Sequence, residues 1–421
     1  MVRNIESMKM GKTSFVNNFL PFAQPSIGEE EISEVIDALR SGWITTGPKV
    51  KLFEEEFAKY IGCGHAIAVN SCTAALHLAL EAIGIREGDE VITSPMTFAA
   101  TAAVIRYLNA RPVFVDIDPA TMNLDVEALR DTVERKCGSG SRAKLKAVIP
   151  VHYAGYPCDM ETITAITSKY NLKVIEDAAH AFPCFYKGKT IGTIGDITCF
   201  SFYATKCITT GEGGMVTTNN NEWAERIRMM RLHGISKDAW KRYTAEGNWY
   251  YEIIAPGYKY NLTDLAAGLG IAQLKKADRM WERRKAIASY YSNAFKEMSE
   301  IEIPFSTDEP EDGENRDHGT KQSWHLYVIK LNQRHLSLDR DRFLEELKKR
   351  GIGTSVHFIP LHIHPYYRET YGYKPEDFPV AYETYKKIIS LPIYAKMSDR
   401  DAQRVVEAVK DVITLYRKGT K

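Results

Sequence analysis

Lys206 and Asp177 are the two residues whose types and positions most directly suggest chemistry. Each closes a short apolar run, and a glycine-rich stretch soon follows Lys206. A lysine amine can form a Schiff base with an aldehyde, and a buried carboxylate can keep a pyridine nitrogen protonated. Together they are what the chemistry of pyridoxal phosphate (PLP) requires of a protein. Taken singly, Lys206 could be a surface lysine, and Asp177 a helix cap or an ion-pair partner.

Two further patterns could bind other parts of such a cofactor. The segment Asn70-Ser-Cys-Thr73 is a turn of small residues that opens a helix, where free backbone N–H groups and the helix dipole favour a phosphate. Phe98 follows an apolar run and could stack on a flat ring. Alone, the turn equally fits a capped helix and Phe98 a core aromatic. The order of all four features along the chain is the specific signal.

The elements that would position these residues are short apolar runs alternating with amphipathic segments, from about residue 62 to residue 232. The runs that predict strands are His65–Val69, Glu90–Ser94, Pro112–Asp116, Lys146–Val151, Leu172–Glu176, Asp196–Ser201 and Gly214–Thr218. This pattern predicts a mostly parallel α/β sheet with helices on both faces. Ligands of such sheets bind beyond the carboxyl ends of the strands, so the four features are expected to converge on one site.

The C-terminal part of the sequence predicts a smaller α/β domain. A helical segment from Leu262 to about Tyr291 leaves the large domain, and the polar stretch 304–321 predicts an exposed loop. Strands are predicted over Trp324–Leu331 and Gly353–Phe358, with a helix over Asp339–Arg350 between them. The predicted division is an N-terminal arm (1–30), a large PLP-binding domain (31–275) and a small C-terminal domain (276–421).

Composition excludes few classes but favours a soluble globular protein of the cytoplasm. The 421 residues allow two domains, and the net charge of +1 gives no argument for nucleic acid or an anionic membrane as a partner. No apolar stretch reaches the roughly 18 residues of a membrane span, and the N-terminus lacks the apolar core of a secretory signal. The seven cysteines form no Cys-x-x-Cys pair, which indicates reduced thiols. His357, His362 and His364 have no carboxylate or cysteine nearby, so no metal site is expected.

Read in order, these motifs resemble the DegT/DnrJ/EryC1/StrS family of PLP-dependent sugar-nucleotide aminotransferases. The small-residue turn, Phe98, Asp177-Ala-Ala-His180, and Ser201-Phe-x-x-x-Lys206 with its Gly-Glu-Gly-Gly tail carry the resemblance. It runs from about Phe22 to the C-terminus. Further segments that match are Trp43–Pro48, Val113–Asp118, Gly257–Asp264 and Val356–Leu361. The resemblance implies PLP fold type I, the aspartate aminotransferase-like fold.

The resemblance also implies a role for each residue around the cofactor ring. Lys206 would be the catalytic residue that anchors the cofactor and then moves protons. Asp177 would pair with the pyridine nitrogen, and Phe98 would stack on the ring. His180 would lie near the ring hydroxyl, at a position that is often Gln in relatives.

The phosphate would be bound by residues from two subunits. Cys72, Thr73 and Ser201 match the phosphate-binding positions of the family. Asn261 matches an asparagine that reaches the phosphate from the partner subunit. The active unit is therefore expected to be a homodimer with shared active sites.

The reaction that the resemblance implies is transfer of an amino group from L-glutamate to a nucleotide-linked keto sugar. The segments Trp43–Pro48 and Ala255–Asp264 look most like enzymes that aminate C4 of a UDP-4-keto sugar, such as the 4-amino-4-deoxy-arabinose synthases. A C3 aminotransferase, or one for GDP- or dTDP-linked 4-keto sugars, is the alternative. Thr46, Tyr203 and His325 are the candidate substrate neighbours. Lipopolysaccharide, other cell-surface polysaccharides and antibiotic sugars are the pathways that such enzymes serve.

Two other classes of function are weighed against this one. A Rossmann-type dinucleotide oxidoreductase is disfavoured because no Gly-x-Gly-x-x-Gly follows a predicted strand. A non-catalytic PLP-fold regulator is disfavoured because Lys206 and Asp177 are both present.

Overall fold

The computed structural model describes residues 19–138, 144–235, 250–304 and 319–418. The predicted N-terminal arm is therefore described only from residue 19 onward. Most of the predicted exposed loop at 304–321 lies outside the described residues.

A seven-stranded sheet forms the centre of the larger part of the chain. Its strands are β1 (His65–Val69), β2 (Glu90–Thr93), β3 (Arg111–Phe114), β4 (Leu145–Ile149), β5 (Lys173–Asp177), β8 (Ile197–Ser201) and β9 (Gly214–Thr218), and a small hairpin adds β6 (Phe185–Tyr186) and β7 (Lys189–Thr190). The strand order is β1-β9-β8-β5-β4-β2-β3. In this sheet only β9 runs against its neighbours. The predicted mostly parallel α/β sheet is confirmed.

Nine helices of the described chain cover the two faces of this sheet or lead away from it. They are α1 (Glu29–Ser41), α2 (Pro48–Ile61), α3 (Cys72–Ala82), α4 (Ala99–Tyr107), α5 (Val126–Gly138), α6 (Met160–Lys169), α7 (Asn221–Met230), α8 (Asp264–Lys275) and α9 (Ala277–Phe295). Successive residues of β8 enter different cores, because side chains of a strand alternate between the faces of its sheet. Cys199 packs with α3 and Phe200 with α2.

The smaller unit is built on a three-stranded antiparallel sheet, β10-β11-β12. Its strands are β10 (Ile301–Glu302), β11 (Tyr327–Leu331) and β12 (Ile388–Leu391), and its helices are α10 (Arg340–Lys349), α11 (Pro365–Tyr371), α12 (Pro379–Tyr385) and α13 (Asp399–Tyr416). The predicted strand Gly353–Phe358 is wrong. The segment lies at the outer edge of β12 and pairs with it only through an isolated bridge from Ser355 to Ser390.

One long helix and one carboxylate connect the two units. The predicted helical segment 262–291 is in fact two helices, and the second, α9, packs Met280 into the large core and Tyr291 into the small one. The carboxylate of Asp116, beyond β3, accepts the backbone N–H groups of Val380 and Ala381 at 2.9 Å each, at the start of α12. These contacts hold the small unit over the carboxyl ends of the parallel strands. In the described ranges, none of the helices combines the length and the apolar character needed to cross a bilayer.

Candidate active site

A cavity of about 610 Å³ lies where the carboxyl ends of the parallel strands face the small unit. Nine residues singled out from the sequence line it: Cys72, Thr73, Phe98, Asp177, His180, Ser201, Tyr203, Lys206 and His325. They come from five separate stretches of the chain, up to 253 residues apart, so the predicted convergence at one edge of the sheet is what the fold produces.

Lys206 lies in the turn that follows β8, where its backbone N–H donates to the Tyr203 carbonyl at 2.9 Å. Burial lowers the pKa of the Lys206 amine, although the nearby Cys72 and Asp177 raise it in part. A lowered pKa increases the neutral fraction of an amine near pH 7, and the neutral amine is the nucleophile. Among the described residues, no carboxylate forms an ion pair with the Lys206 amine. The amine is thus free to react within the cavity.

Asp177 ends β5 and is buried. Its Oδ2 accepts from Thr101 Oγ1 at 2.7 Å, and its Oδ1 accepts from the Ala179 N–H at 3.1 Å. Burial raises the pKa of Asp177, whereas these two hydrogen bonds and the charge of Lys206 lower it. Because each carboxylate oxygen has a second lone pair, Asp177 can still accept from a protonated ring nitrogen.

The predicted phosphate-binding turn precedes α3. Ser71 is the N-cap, and its Oγ accepts the backbone N–H three residues on at 3.1 Å. The first N–H groups of the helix, including that of Thr73, have no intrahelical partner and are available to an anion. Ser201 ends β8 beside this turn. The turn also packs tightly on β9, since a Cβ at Gly214 would come within 2.6 Å of the Ser71 backbone, which explains the glycine.

Phe98 and His180 form the walls beside the proposed ring position. Phe98 caps the start of α4 and is 64% exposed, so one ring face is open to a flat ligand. His180 is 7% exposed, and its buried Nδ1 has no hydrogen-bond partner. Burial, followed by the charge of Lys206, lowers the pKa of His180 well below its ordinary value. His180 is therefore a neutral imidazole with one unused nitrogen.

Several residues of the site were missed by reasoning from the sequence. They are Phe22, Thr97, Thr101, Val356, Phe358 and the cavity-facing His357. Thr97 precedes α4 and Thr101 lies in its first turn, and their hydroxyls are 2.8 Å apart. No sequence signal marks Phe22, which reaches the cavity only because its segment crosses the small unit next to Ile352.

Thr46 and Asn261 do not line this cavity in their own chain. Asn261 Nδ2 donates to Thr46 Oγ1 at 2.7 Å, and Lys259 Nζ donates to Asn261 Oδ1 at 2.6 Å. Thr46 in turn donates to the Leu262 carbonyl at 2.6 Å. The three polar side chains form a cluster apart from the residues that line the cavity of the same chain.

The residues of the cavity fit PLP. The helix N-terminus suits the phosphate, Asp177 suits a protonated pyridine nitrogen, and Lys206 suits an aldehyde. The unpartnered Nδ1 of His180 is placed to meet a ring oxygen. In the part of the chain that the structure describes, no group of three or more His, Cys, Asp and Glu side chains could hold a metal ion.

Comparison with known proteins gives matches over most of the chain. The model of the DegT/DnrJ/EryC1/StrS aminotransferase family matches residues 25–410. The uncharacterized protein MJ1066 of Methanocaldococcus jannaschii is 56% identical over 95% of this chain and 99% of its own. The spore coat polysaccharide biosynthesis protein SpsC of Bacillus subtilis is 50% identical over 94% of this chain and 98% of its own.

A solved structure agrees with these sequence matches. Spr1654 from Streptococcus pneumoniae, described as a proposed sugar aminotransferase, is 34% identical and covers 94% of this chain and 99% of its own. Its PMP form superposes with a TM-score of 0.83 and its PLP form with a TM-score of 0.81.

Proposed function

The chain belongs to the DegT/DnrJ/EryC1/StrS aminotransferase family, and on that premise we propose that it transfers the amino group of L-glutamate to C4 of a UDP-linked 4-keto sugar. The coarser part of this statement is established: the protein is a PLP-dependent sugar aminotransferase with the aminotransferase fold. The predictions of family, fold, enzyme class and cofactor are thereby confirmed. The donor, the nucleotide and the carbon that is aminated are the proposal.

The observation that carries the proposed chemistry is the placement of Lys206 and Asp177 in one cavity. PLP, when bound, supplies an electron sink that makes the proton on the amine-bearing carbon labile. Lys206 Nζ would take that proton and return it on the other side of the nitrogen, a 1,3-proton shift that a buried amine of lowered pKa can perform near neutral pH. Asp177 holds the proton on the ring nitrogen through its carboxylate. Phe98 orients the ring.

Both substrates would use this one cavity in turn. Lys206 is its only lysine or arginine among the described lining residues, so donor and acceptor must each present their reacting carbon to the same amine. This favours a ping-pong cycle, in which 2-oxoglutarate leaves before the sugar nucleotide binds. Tyr203 lies three residues before Lys206, lines the cavity and is 47% exposed. These features support its role as a neighbour of the sugar.

The setting of the reaction is part of the same proposal. The segments Trp43–Pro48 and Ala255–Asp264 support the C4 assignment, because they resemble those of enzymes that aminate C4. The similarity to SpsC supports a place in the biosynthesis of a cell-surface polysaccharide. All seven cysteines are free thiols, which supports a reducing compartment such as the cytoplasm.

A panel of keto sugars tests the proposal. Purified enzyme with L-glutamate and UDP-, GDP- or dTDP-linked 4-keto and 3-keto sugars should release 2-oxoglutarate fastest with a UDP-4-keto sugar. Because the sugar must reach Lys206 in a fitted pose, we expect kcat/KM for the 3-keto isomers to be lower by roughly 100-fold or more. Preference for a 3-keto sugar, or for another nucleotide, would reject the specific assignment. Release with none of them would reject amino transfer from glutamate to sugars.

We further propose that the active unit is a homodimer in which Asn261, with Thr46, completes the partner's cavity. Both residues lie outside the cavity of their own chain, and their polar atoms bond to each other at 2.7 Å. Several exposed apolar side chains lie close to Thr46 or Asn261 along the chain: Ile44, Tyr250, Tyr251, Ile253 and Ile254. Exposed apolar side chains near polar groups are typical of a protein interface.

Mixed dimers test this sharing of residues. We expect Lys206→Ala and Asn261→Asp to be nearly inactive alone, the second because its new carboxylate would repel the phosphate. Unfolded, mixed and refolded 1:1, they should recover roughly one quarter of wild-type activity, because half of the dimers are mixed and each has one intact site. Wild-type protein taken through the same refolding is the reference. No recovery would show that Asn261 acts within its own chain.

A further inference from the structure

The wall of the cavity formed with the small unit contains three histidines and no arginine among its described residues. They are His180, His325 and His357. The rings of His180 and His325 are 4.4 Å apart, and those of His180 and His357 are 6.4 Å apart. All three lie close enough to Lys206 for its charge to act on them. This imidazole wall therefore borders the place where the reacting carbon must sit.

The backbone of His325 is held by hydrogen bonds, whereas one nitrogen of its ring has no hydrogen-bond partner among the described residues. Arg284 of α9 donates to the carbonyls of His325 at 3.3 Å and of Ile393 at 2.8 Å. The His325 side chain is 5% exposed, and its buried Nδ1 has no hydrogen-bond partner among the described residues. A buried nitrogen without a partner is costly, so the described residues leave the polar contacts of this cavity-lining ring incomplete.

His357 is fixed through its other nitrogen. Its Nδ1 shares a hydrogen bond of 2.8 Å with Ser390 Oγ on β12, and Phe22 stacks on the ring at 5.4 Å. With Nδ1 engaged, Nε2 is the nitrogen left for the cavity. His325 and His357 thus present one free nitrogen each from the same wall.

We propose that His325 and His357 bind the α-carboxylate of the amino donor, in place of an arginine. This rests on the proposed use of L-glutamate. The α-carboxylate is one bond from the carbon that Lys206 deprotonates, so it must lie beside Lys206. The phosphate turn and Asp177 are committed to the cofactor. Apart from the hydroxyls of Tyr203 and Thr205, the imidazole wall supplies the side-chain donors of the cavity that remain for the carboxylate. His180 remains assigned to the ring oxygen.

The electrostatics of the wall agree with this assignment. Burial lowers the pKa of His325 well below its ordinary value, and the charges of Lys206 and Arg284 lower it further. Burial likewise lowers the pKa of His357 to about 4. Both rings are neutral before the donor binds, so they do not repel Lys206, and each can donate one N–H to a carboxylate.

Substitutions at His325 separate this role from a structural one. His325→Leu removes both nitrogens, whereas His325→Asn keeps an amide where Nδ1 stands. Because hydrogen bonds to charged groups are worth about 1.5–3 kcal/mol, we expect His325→Leu to raise KM for L-glutamate and the Kd of glutarate, measured by calorimetry on the holoenzyme, by roughly 10-fold or more. His325→Asn should recover most of both. KM for the sugar nucleotide should change little.

A matched pair of donors locates the carboxylate. The compound 4-aminobutyrate is glutamate without its α-carboxylate, so the preference of the enzyme for glutamate over it should fall roughly 10-fold or more in His325→Leu. His335→Gln, a change at an exposed histidine outside the cavity, should leave that preference and the Kd of glutarate unchanged. Unchanged donor KM and glutarate Kd in a folded His325→Leu protein would overturn the inference. If wild-type enzyme used no glutamate, the proposed function would fail, and glutarate binding would still decide the role of His325.

Discussion

Replacing Lys206 with alanine is expected to abolish amino transfer and leave the protein folded. The loss of the acid–base group alone should lower kcat by about 100- to 10,000-fold, and loss of the covalent link to the cofactor should lower it further. The fold should tolerate the change, because burial already disfavours the charged amine. The checks are release of 2-oxoglutarate, the visible absorbance of bound cofactor, and borohydride reduction followed by peptide mass spectrometry, which should label Lys206 in the wild type.

Lys173→Ala is the matched control. Lys173 begins β5, at the opposite end of the strand from Asp177. It makes a partly exposed ion pair with Asp196 at 3.6 Å, and its amine lies 5.3 Å from the centre of the Trp223 ring. Such pairs contribute about 0–1 kcal/mol, so this variant should keep full activity. Retained amino transfer in a folded Lys206→Ala protein, or a label on another lysine, would contradict the assignment of Lys206.

Replacing Asp177 with asparagine is expected to give the second largest loss. The amide is neutral, so it cannot stabilise the proton on the ring nitrogen, and removing one such electrostatic partner from a buried site costs on the order of 100- to 1,000-fold in kcat. The amide NH₂ would also face either the Thr101 hydroxyl or the Ala179 N–H, since both donate to the carboxylate. The measurements are kcat for the donor half-reaction and the Kd of the cofactor, with thermal unfolding to verify the fold.

Thr101→Val is the control that keeps the carboxylate. It removes the hydrogen bond to Asp177 Oδ2, worth about 1.5–3 kcal/mol, and the one shared with Thr97. Since the carboxylate remains, the activity near pH 8 should fall far less than in Asp177→Asn. That hydrogen bond lowers the pKa of Asp177, so its loss raises the pKa further. The ionised form is the active one, and the acid limb of the pH–rate profile should therefore move to higher pH. Equal kcat in Asp177→Asn and wild type would refute the role of Asp177.

The arrangement around Lys206 and Asp177 could be predicted from the sequence because it depends on regular geometry. Apolar runs alternating with amphipathic helices specify a parallel sheet, and parallel strands end at a common edge. The residues that follow β1, end β5 and follow β8 therefore meet, whatever the details of packing. The order of motifs then pointed to the family and to PLP, both of which are confirmed.

The prediction failed where pairing partners are chosen by tertiary packing. The stretch Gly353–Phe358 has the apolar pattern of a strand, yet both edges of β11 are taken by β10 and Ile388–Leu391. The segment instead places His357 and Phe358 in the cavity wall. The hydrophobic pattern of a sequence indicates which residues are buried. It does not indicate which of several apolar segments pairs with a given strand edge.

By itself, therefore, the sequence determined the cofactor chemistry of Lys206 and the edge of the sheet where it occurs. Tertiary structure alone decided what surrounds that chemistry: the hydroxyl of Thr101 on Asp177, 76 positions away, and the ring of His325 in the same cavity as the amine. It also decided that Asn261 bonds to Thr46 and is not among the residues that line the cavity of its own chain. The physical reason is that strand and helix periodicities are local, whereas a single hydrogen bond between distant segments leaves no repeating pattern in the chain.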